Sequence, residues 1–277
     1  MKTEIYQIFY SEETEKKLDP EFIPLDNSSN ERPDWREYWP IRKFLLSNEM
    51  KEDVMYGFLS PKFKIKTNIN GDDIISFHES ISSNIELINF SPYFDQASFY
   101  QNIFEQASSV HKNTANKISR IIYEIYPELQ ISDMVMTSEN VIFCNFFTAK
   151  KCFWKKWLTV CEKIFEWAEN SESPLSKDLN SLSNHGEEDV QLKVFLIERI
   201  ASLLVYIDNI NLIKYKANET ENMENSIMPS IRNLEFLKLD SYKMSYLKTL
   251  NNDYLTIFSE LRQELVEKHR SLKTTKN

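Results

Sequence analysis

The apolar positions of this chain keep two periods, and segments of one period alternate with segments of the other. Four runs read as strands. "EIYQIFY" (residues 4–10) sets Ile5, Gln7 and Phe9 against Tyr6, Ile8 and Tyr10, and "VMYGFLS" (54–60) is apolar until Pro61 stops it. "NIELINF" (84–90) ends at "SPYFD", and "NVIFCNFFTA" (140–149) is apolar almost throughout. Strands this apolar belong inside a sheet covered on both faces.

Helical spacing fills the intervals. Residues 34–46 suit a helix, with Pro40 as a kink or break near its middle. Ser91 and Pro92 suit an N-cap and first turn for a helix whose face is Phe94, Ala97, Ile103, Phe104 and Ala107. Residues 113–126 place Ile118, Ile121, Ile122 and Ile125 on one face until Pro127. "FWKKWLTVCEKIFEWAE" keeps helical spacing from Phe153 to Ala168. "VQLKVFLIERIASLLVYI", opened by the charges Glu187 and Asp189, is apolar nearly all round and predicts a buried helix. Tyr254, Phe258, Leu261 and Leu265 predict a last helix or helical hairpin, and the polar stretches 170–186 and 216–229 read as loops. The order gives an α/β fold: a mixed sheet covered by helices on both faces across residues 1–215, with a helical C-terminal segment, 230–277, packed on it.

Composition narrows what such a domain does. A formal net charge of −9 argues against a general nucleic-acid binder, which needs a basic surface. Only three glycines occur, so neither a P-loop, a G-x-G-x-x-G turn nor a G-x-S-x-G elbow can be written. Cys144, Cys152 and Cys161 lack C-x-x-C spacing and read as reduced core thiols. The four histidines are scattered and His111 flanks a helix; no D-x-D occurs, and Asp72 and Asp73 read as a turn, so no metal ligand set is assigned. The first residues hold no apolar h-region, and no run approaches the roughly 18 apolar residues of a membrane span. A cytoplasmic protein is the expectation.

Ligand crevices of open α/β sheets lie at the carboxyl ends of the strands. Ser60, Lys62, Lys64 and Lys66 follow the second strand and Lys150 follows the fourth, which suits either a solvated basic loop or a diphosphate cradle. Asn145 sits inside an apolar strand and must be hydrogen-bonded, to backbone at a bulge or to a sugar hydroxyl. Glu198 and Arg199 interrupt the most apolar helix, as a structural ion pair or as groups facing a ligand. The stretch "NSSNERPDWREYWPIRKFLL" (27–46) carries two tryptophans among charges, in a chain whose aromatic share of 13% is high. It is either a packed aromatic helix or the wall of a binding site.

Taken in order, the segments resemble bacterial capsule and lipopolysaccharide glycosyltransferase-like proteins of the galactofuranosyltransferase-like kind. "EIYQIFYSEE" with "FIPLDN", "NERPDWREYWPIRKFL", "VMYGFLSPKF", "FCNFFTAKKCFWKKWLTVCEKIF" and "VQLKVFLIERIASLLVYI" stand where that family has its opening strand and loop, an aromatic helix, a strand with a His-Tyr-Arg-Arg loop, an Asn-Met-Phe strand with its helix, and a buried Glu-Arg helix. Here Ser60, Pro61, Lys62 and Phe63 replace the basic loop. The resemblance implies a GT-A-like, Rossmann-like fold. It also implies sugar transfer from a nucleotide-diphosphate donor to a saccharide acceptor, cytoplasmic and peripheral to the inner membrane, with or without a divalent metal. Lys62, Lys64 and Lys66, with Lys150 in reserve, would hold the diphosphate. Asp34, Glu37 and Asp95 are candidate bases, and Asn30, Arg36 and Trp39 would wall the site. A non-catalytic saccharide-binding or assembly partner is the alternative.

Overall fold

The computed structural model describes residues 1–110, 114–185, 188–216 and 226–274. Its strands are β1 (Lys2–Phe9), β2 (Ile23–Asp26), β3 (Val54–Leu59), β4 (Leu87–Asn89), β5 (Phe147–Lys150), β6 (Leu182–His185), β7 (Glu188–Gln191) and β8 (Leu212–Lys214). Six of them form one mixed sheet in the order β2-β1-β3-β5-β4-β8, and β6 and β7 form a separate antiparallel pair. Within the main sheet only β5 runs against its neighbours, β3 and β4.

Both faces of β3 are buried, as its unbroken apolar run requires. Alternate side chains feed two cores. Val54, Tyr56 and Phe58 join Trp35, Tyr38, Trp154 and Trp157 on one side, and Met55 and Leu59 join Phe63, Ile74, Ile88 and Phe146 on the other. The Lys151–Glu169 helix covers the first side through Trp154, whose Nε1 donates to the Tyr56 carbonyl at 3.0 Å. The Leu192–Asp208 helix packs beside it and is buried nearly all round, as expected. The α/β architecture with covered sheet faces and a helical C-terminal segment is the one read from the sequence. No helix among the described residues is long and apolar enough to cross a membrane.

Several local expectations are corrected. Pro40 does not break its helix. The chain makes a 3-10 turn at Pro33–Trp35 and starts a helix afresh at Tyr38–Ser47, which puts Pro40 in a first turn whose N–H groups have no intrahelical acceptor anyway. The expected single helix at 91–107 is two, Phe94–Phe99 and Ile103–Val110, and the first is entered from Tyr93 rather than capped by Ser91. The Ser91 hydroxyl instead accepts from the Phe143 N–H. The strand expected over 140–149 shrinks to β5, because Cys144 and Asn145 take left-handed conformations.

Asp72 and Asp73 open the Gly71–Ser80 helix, with Asn70 and Asp73 forming its capping box, and are not a loop turn. Asp189 lies in β7, not at a helix start. The stretch expected to be one loop, 170–186, contains a Ser176–Leu179 helix and β6. Cys161 is buried, but Cys152 is exposed and is no core thiol. The expectations at His111, Asn113, Gly186 and Glu187 lie outside the described residues.

Candidate functional site

β1 and β3 run parallel with β4, so their carboxyl ends share one edge of the sheet, and antiparallel β5 begins at that edge. A cleft of about 710 Å³ opens there. Tyr10 follows β1, Asn27 and Asn30 follow β2, and Ser60, Pro61 and Lys62 follow β3. Tyr93 and Gln96 follow β4, and Phe143 and Cys144 precede β5. Val194, Phe195, Glu198 and Arg199 from the Leu192–Asp208 helix close the far side. A narrow recess in the same place adds Trp35, Tyr38, Ile197 and Asn145.

Backbone strain concentrates on this cleft. Among the described residues, eight non-glycine positions have positive φ. Asn68, Asn209 and Leu250 are helix C-caps, where a left-handed residue is ordinary. The other five, Asn30, Arg36, Tyr93, Cys144 and Asn145, all line the cleft or its recess. Arg36, at φ 49° and ψ −134°, holds a conformation usually left to glycine. Strained residues persist only where the surrounding structure over-determines them, and they gather at functional sites.

Glu198 is the most unusual group. One side of it opens to the cleft, yet enough protein surrounds the carboxyl that burial raises its pKa, and Glu37 adds to the rise; Arg199, Lys66 and Arg36 pull the other way and lose. Among the described residues its carboxylate makes neither a hydrogen bond nor an ion pair. Burial also opposes the Lys66 ammonium, but Cys144, Tyr93 and Glu198 around it hold its pKa above the ordinary lysine value. Burial pushes the Cys144 thiol up to about 11, so at neutral pH Lys66 is a cation donating to a neutral sulfur 3.2 Å away. Asn145 is 4% exposed, and its Oδ1 has no partner among the described residues.

The expected Glu198–Arg199 ion pair does not form, because adjacent helical positions point apart. Arg199 donates to the Phe195 carbonyl at 2.6 Å and to Gln106 Oε1 at 2.8 Å, and Gln106 in turn holds Gln96 at 2.8 Å. Arg199 therefore sets the two glutamines of the cleft wall, and Glu198 is left to face the cleft.

Of the residues expected at a site, the fold assembles Asn30, Arg36, Glu37, Ser60, Lys62, Lys66, Asn145, Glu198 and Arg199. It does not bring in the other five. Lys150 stands at the carboxyl end of antiparallel β5, at the opposite edge of the sheet, and donates to the Ser83 carbonyl at 2.7 Å. Lys64 is exposed on the Phe63–Thr67 helix and lines neither space. Asp95 is buried and accepts from the Ile227 N–H at 2.8 Å. Trp39 stacks on Phe165, with ring centroids 6.3 Å apart, and donates to Glu31 at 3.2 Å.

Asp34 belongs to a partly exposed network beside the cleft, built around the buried Lys193 and Trp35. It takes both nitrogens of Arg32 at 2.9 Å and the Lys193 ammonium at 2.7 Å, while Glu169 takes Arg32 at 2.7 Å and Trp35 Nε1 at 3.0 Å. Lys193 also lies 4.3 Å over the Trp35 ring. This network pins the turn that delivers Arg36 and Glu37.

Sequence reading missed Asn27, Tyr93, Gln96, Gln106 and Cys144. Only Cys144 carried a signal, as the neighbour of Asn145 in an apolar run. Among the described residues no group of three or more His, Cys, Asp or Glu side chains is placed to hold a metal ion. Comparison with protein-family models, curated proteins and solved structures found no match.

Proposed function

We propose that the cleft binds a nucleotide-diphosphate sugar and transfers its sugar to a saccharide acceptor, as assembly of a bacterial surface polysaccharide requires. The observation that carries the reading is the pairing of an unpartnered, raised-pKa carboxylate, Glu198, with a cation, Lys66, in one strained cleft at the carboxyl ends of the sheet. The mixed sheet with covered faces is also of the kind the sequence resemblance implies.

The two groups divide the chemistry. Glu198 takes the proton of the acceptor hydroxyl, the freed oxygen forms the new bond to the sugar C1, and the C1–O bond to the diphosphate breaks with its electron pair. Lys66 and Lys62, with Arg36, neutralise the leaving diphosphate. A carboxyl pKa above the ordinary range suits a base that must accept a proton near neutral pH. Burial, with Glu37 adding to it, keeps that pKa high, and the Asn145 Oδ1, unpartnered among the described residues, accepts a sugar hydroxyl.

Calorimetric titration with UDP, GDP and their sugars, with CMP as a monophosphate control, tests the binding half. One nucleoside diphosphate is expected to bind. Lys66→Met should weaken it about 10- to 100-fold, the worth of one hydrogen bond to a charged group. Lys64→Ala should change it by less than about twofold, since that side chain projects to solvent. Absence of binding by every nucleotide, or equal losses in the two variants, would remove the proposal's basis.

A further inference from the structure

The hydrogen-bond chain that starts at Arg199 has a direction, and the direction limits what the cleft can hold beside it. Arginine carries donors and no acceptor, so the Gln106 oxygen is the atom that faces it, 2.8 Å from Nη2. Gln106 Nε2 is thereby turned to Gln96 and donates to its Oε1 at 2.8 Å, which fixes the second amide in turn. Both amide oxygens are thus used within the wall. Gln96 Nε2 has no partner among the described residues, so at this point the wall offers a ligand N–H donors.

The surroundings of that donor are apolar. Val190, Val194 and Phe195 form a small buried cluster of their own, and with Val110 and Ile227 they line the same cleft. Ile227 is tied in place by its N–H, which donates to Asp95 at 2.8 Å. The narrow recess around Lys66 and Glu198 includes none of Gln96, Gln106, Phe195 or Arg199. The glutamine lobe therefore stands apart from that recess, where an acceptor saccharide rather than the leaving diphosphate belongs.

A group seated in this lobe needs a lone pair for Gln96 and an apolar part for the valines and Phe195. A hydroxyl supplies only the first. A carboxylate brings a further negative charge into a cleft that already holds Glu37 and Glu198. Arg199 is poorly placed to offset it, because Nε and both terminal nitrogens already donate to the Ile103 carbonyl, the Phe195 carbonyl and Gln106. An acylamino group supplies both parts without charge.

We infer, on the proposed sugar-transfer reading, that the acceptor saccharide presents an acetamido sugar to this lobe. Its carbonyl oxygen accepts from Gln96 Nε2, and its methyl rests on the Val190, Val194 and Phe195 cluster. Gln96 is the selecting contact, and Arg199 acts through Gln106 as a positioning residue.

Saturation-transfer NMR on the full chain tests this, with methyl glycosides of N-acetylglucosamine, N-acetylgalactosamine, glucose and glucuronic acid, and with UDP and GDP titrations run beside it. An acetamido glycoside is expected to bind at least about fivefold more tightly than those of glucose and glucuronic acid, its acetyl methyl taking the strongest saturation. Gln96→Glu keeps the oxygen that Gln106 needs and puts an acceptor where the donor was. It should lower the preference for acetamido over glucose to about one, a ratio that a merely structural role would not move. Equal binding of glucose and acetamido glycosides, preference for glucuronate, or binding of no glycoside would overturn the inference, as would a preference that survives Gln96→Glu. Nucleoside diphosphate binding in any of those cases would leave the transfer reading standing. Acetamido binding with no nucleotide binding would remove the transfer reading and leave the acetamido site.

Discussion

Glu198→Gln is expected to lose sugar transfer by about 10²- to 10⁴-fold, the usual contribution of a positioned acid–base group. The same variant should be at least as stable as the parent at neutral pH. Burial, reinforced by Glu37, raises the Glu198 carboxyl pKa, so the folded state favours the protonated form. That stabilisation is complete below the unfolded pKa and is lost as pH rises through the folded one. At higher pH the parent holds an unpaired buried carboxylate, whereas the amide is neutral and nearly the same shape.

The gain in melting temperature from Glu198→Gln should therefore be larger at pH 8 than at pH 4.5. The acid limb of the parent's kcat/KM profile should lie above the ordinary glutamate range, reported there by the free enzyme. A structural carboxylate would behave oppositely, with stability lost and turnover little changed. A Glu198→Gln protein that keeps turnover within about threefold of the parent would remove Glu198 as the base.

Asp34→Ala is expected to act on stability, by about 3 kcal/mol, because it strands Lys193, a fully buried ammonium, without its closest carboxylate. For a chain of this size that corresponds to a fall in melting temperature of about 6–12 °C. Burial alone would raise the Asp34 carboxyl, but Arg32 and Lys193 outweigh it and hold it at about 2. A depressed carboxylate pKa contributes stability above the unfolded value and loses it as pH falls through the folded one. The penalty of the substitution should thus be full at pH 7 and should shrink toward pH 2. Combining Asp34→Asn with Lys193→Met should recover most of the loss, since it removes the buried charge as well as its partner. If Asp34→Ala instead melts with the parent and loses only turnover, Asp34 is a catalytic residue and the network reading is wrong.

How far the sequence reached depended on whether a feature is local. β3 was legible because a strand buried on both faces must be apolar along its whole length, β1 because its apolar residues crowd one short run, and the Lys151–Glu169 and Leu192–Asp208 helices because their spacing is unbroken. Strand direction was not legible, and it decided the lysines. Lys62 and Lys66 follow a strand that ends at the cleft, whereas Lys150 ends β5, which points away from it. The break at Cys144 and Asn145 was hidden inside an apolar run, since nothing in "FCNFF" announces two left-handed residues in succession.

The Asp34, Arg36 and Glu37 stretch shows the same limit more finely. All three are polar and close in sequence, and only the strained Arg36 backbone turns two of them toward the cleft and leaves Asp34 beside it. Glu198 and Arg199 were legible as an anomaly in an apolar helix. Which one faced a ligand depended on Gln106, ninety-three positions away in sequence, which holds Arg199.

A crystal structure of the protein with a nucleoside diphosphate bound tests the central claim most directly. The diphosphate is predicted between Lys62, Lys66 and Arg36, with Ser60 beside it and the Glu198 carboxylate facing the open space where a sugar and an acceptor hydroxyl would meet. A diphosphate seated elsewhere, such as the groove between Met50, Lys151 and Lys155 on the far side of the sheet, would contradict the account. So would a cleft that stays empty at saturating nucleotide.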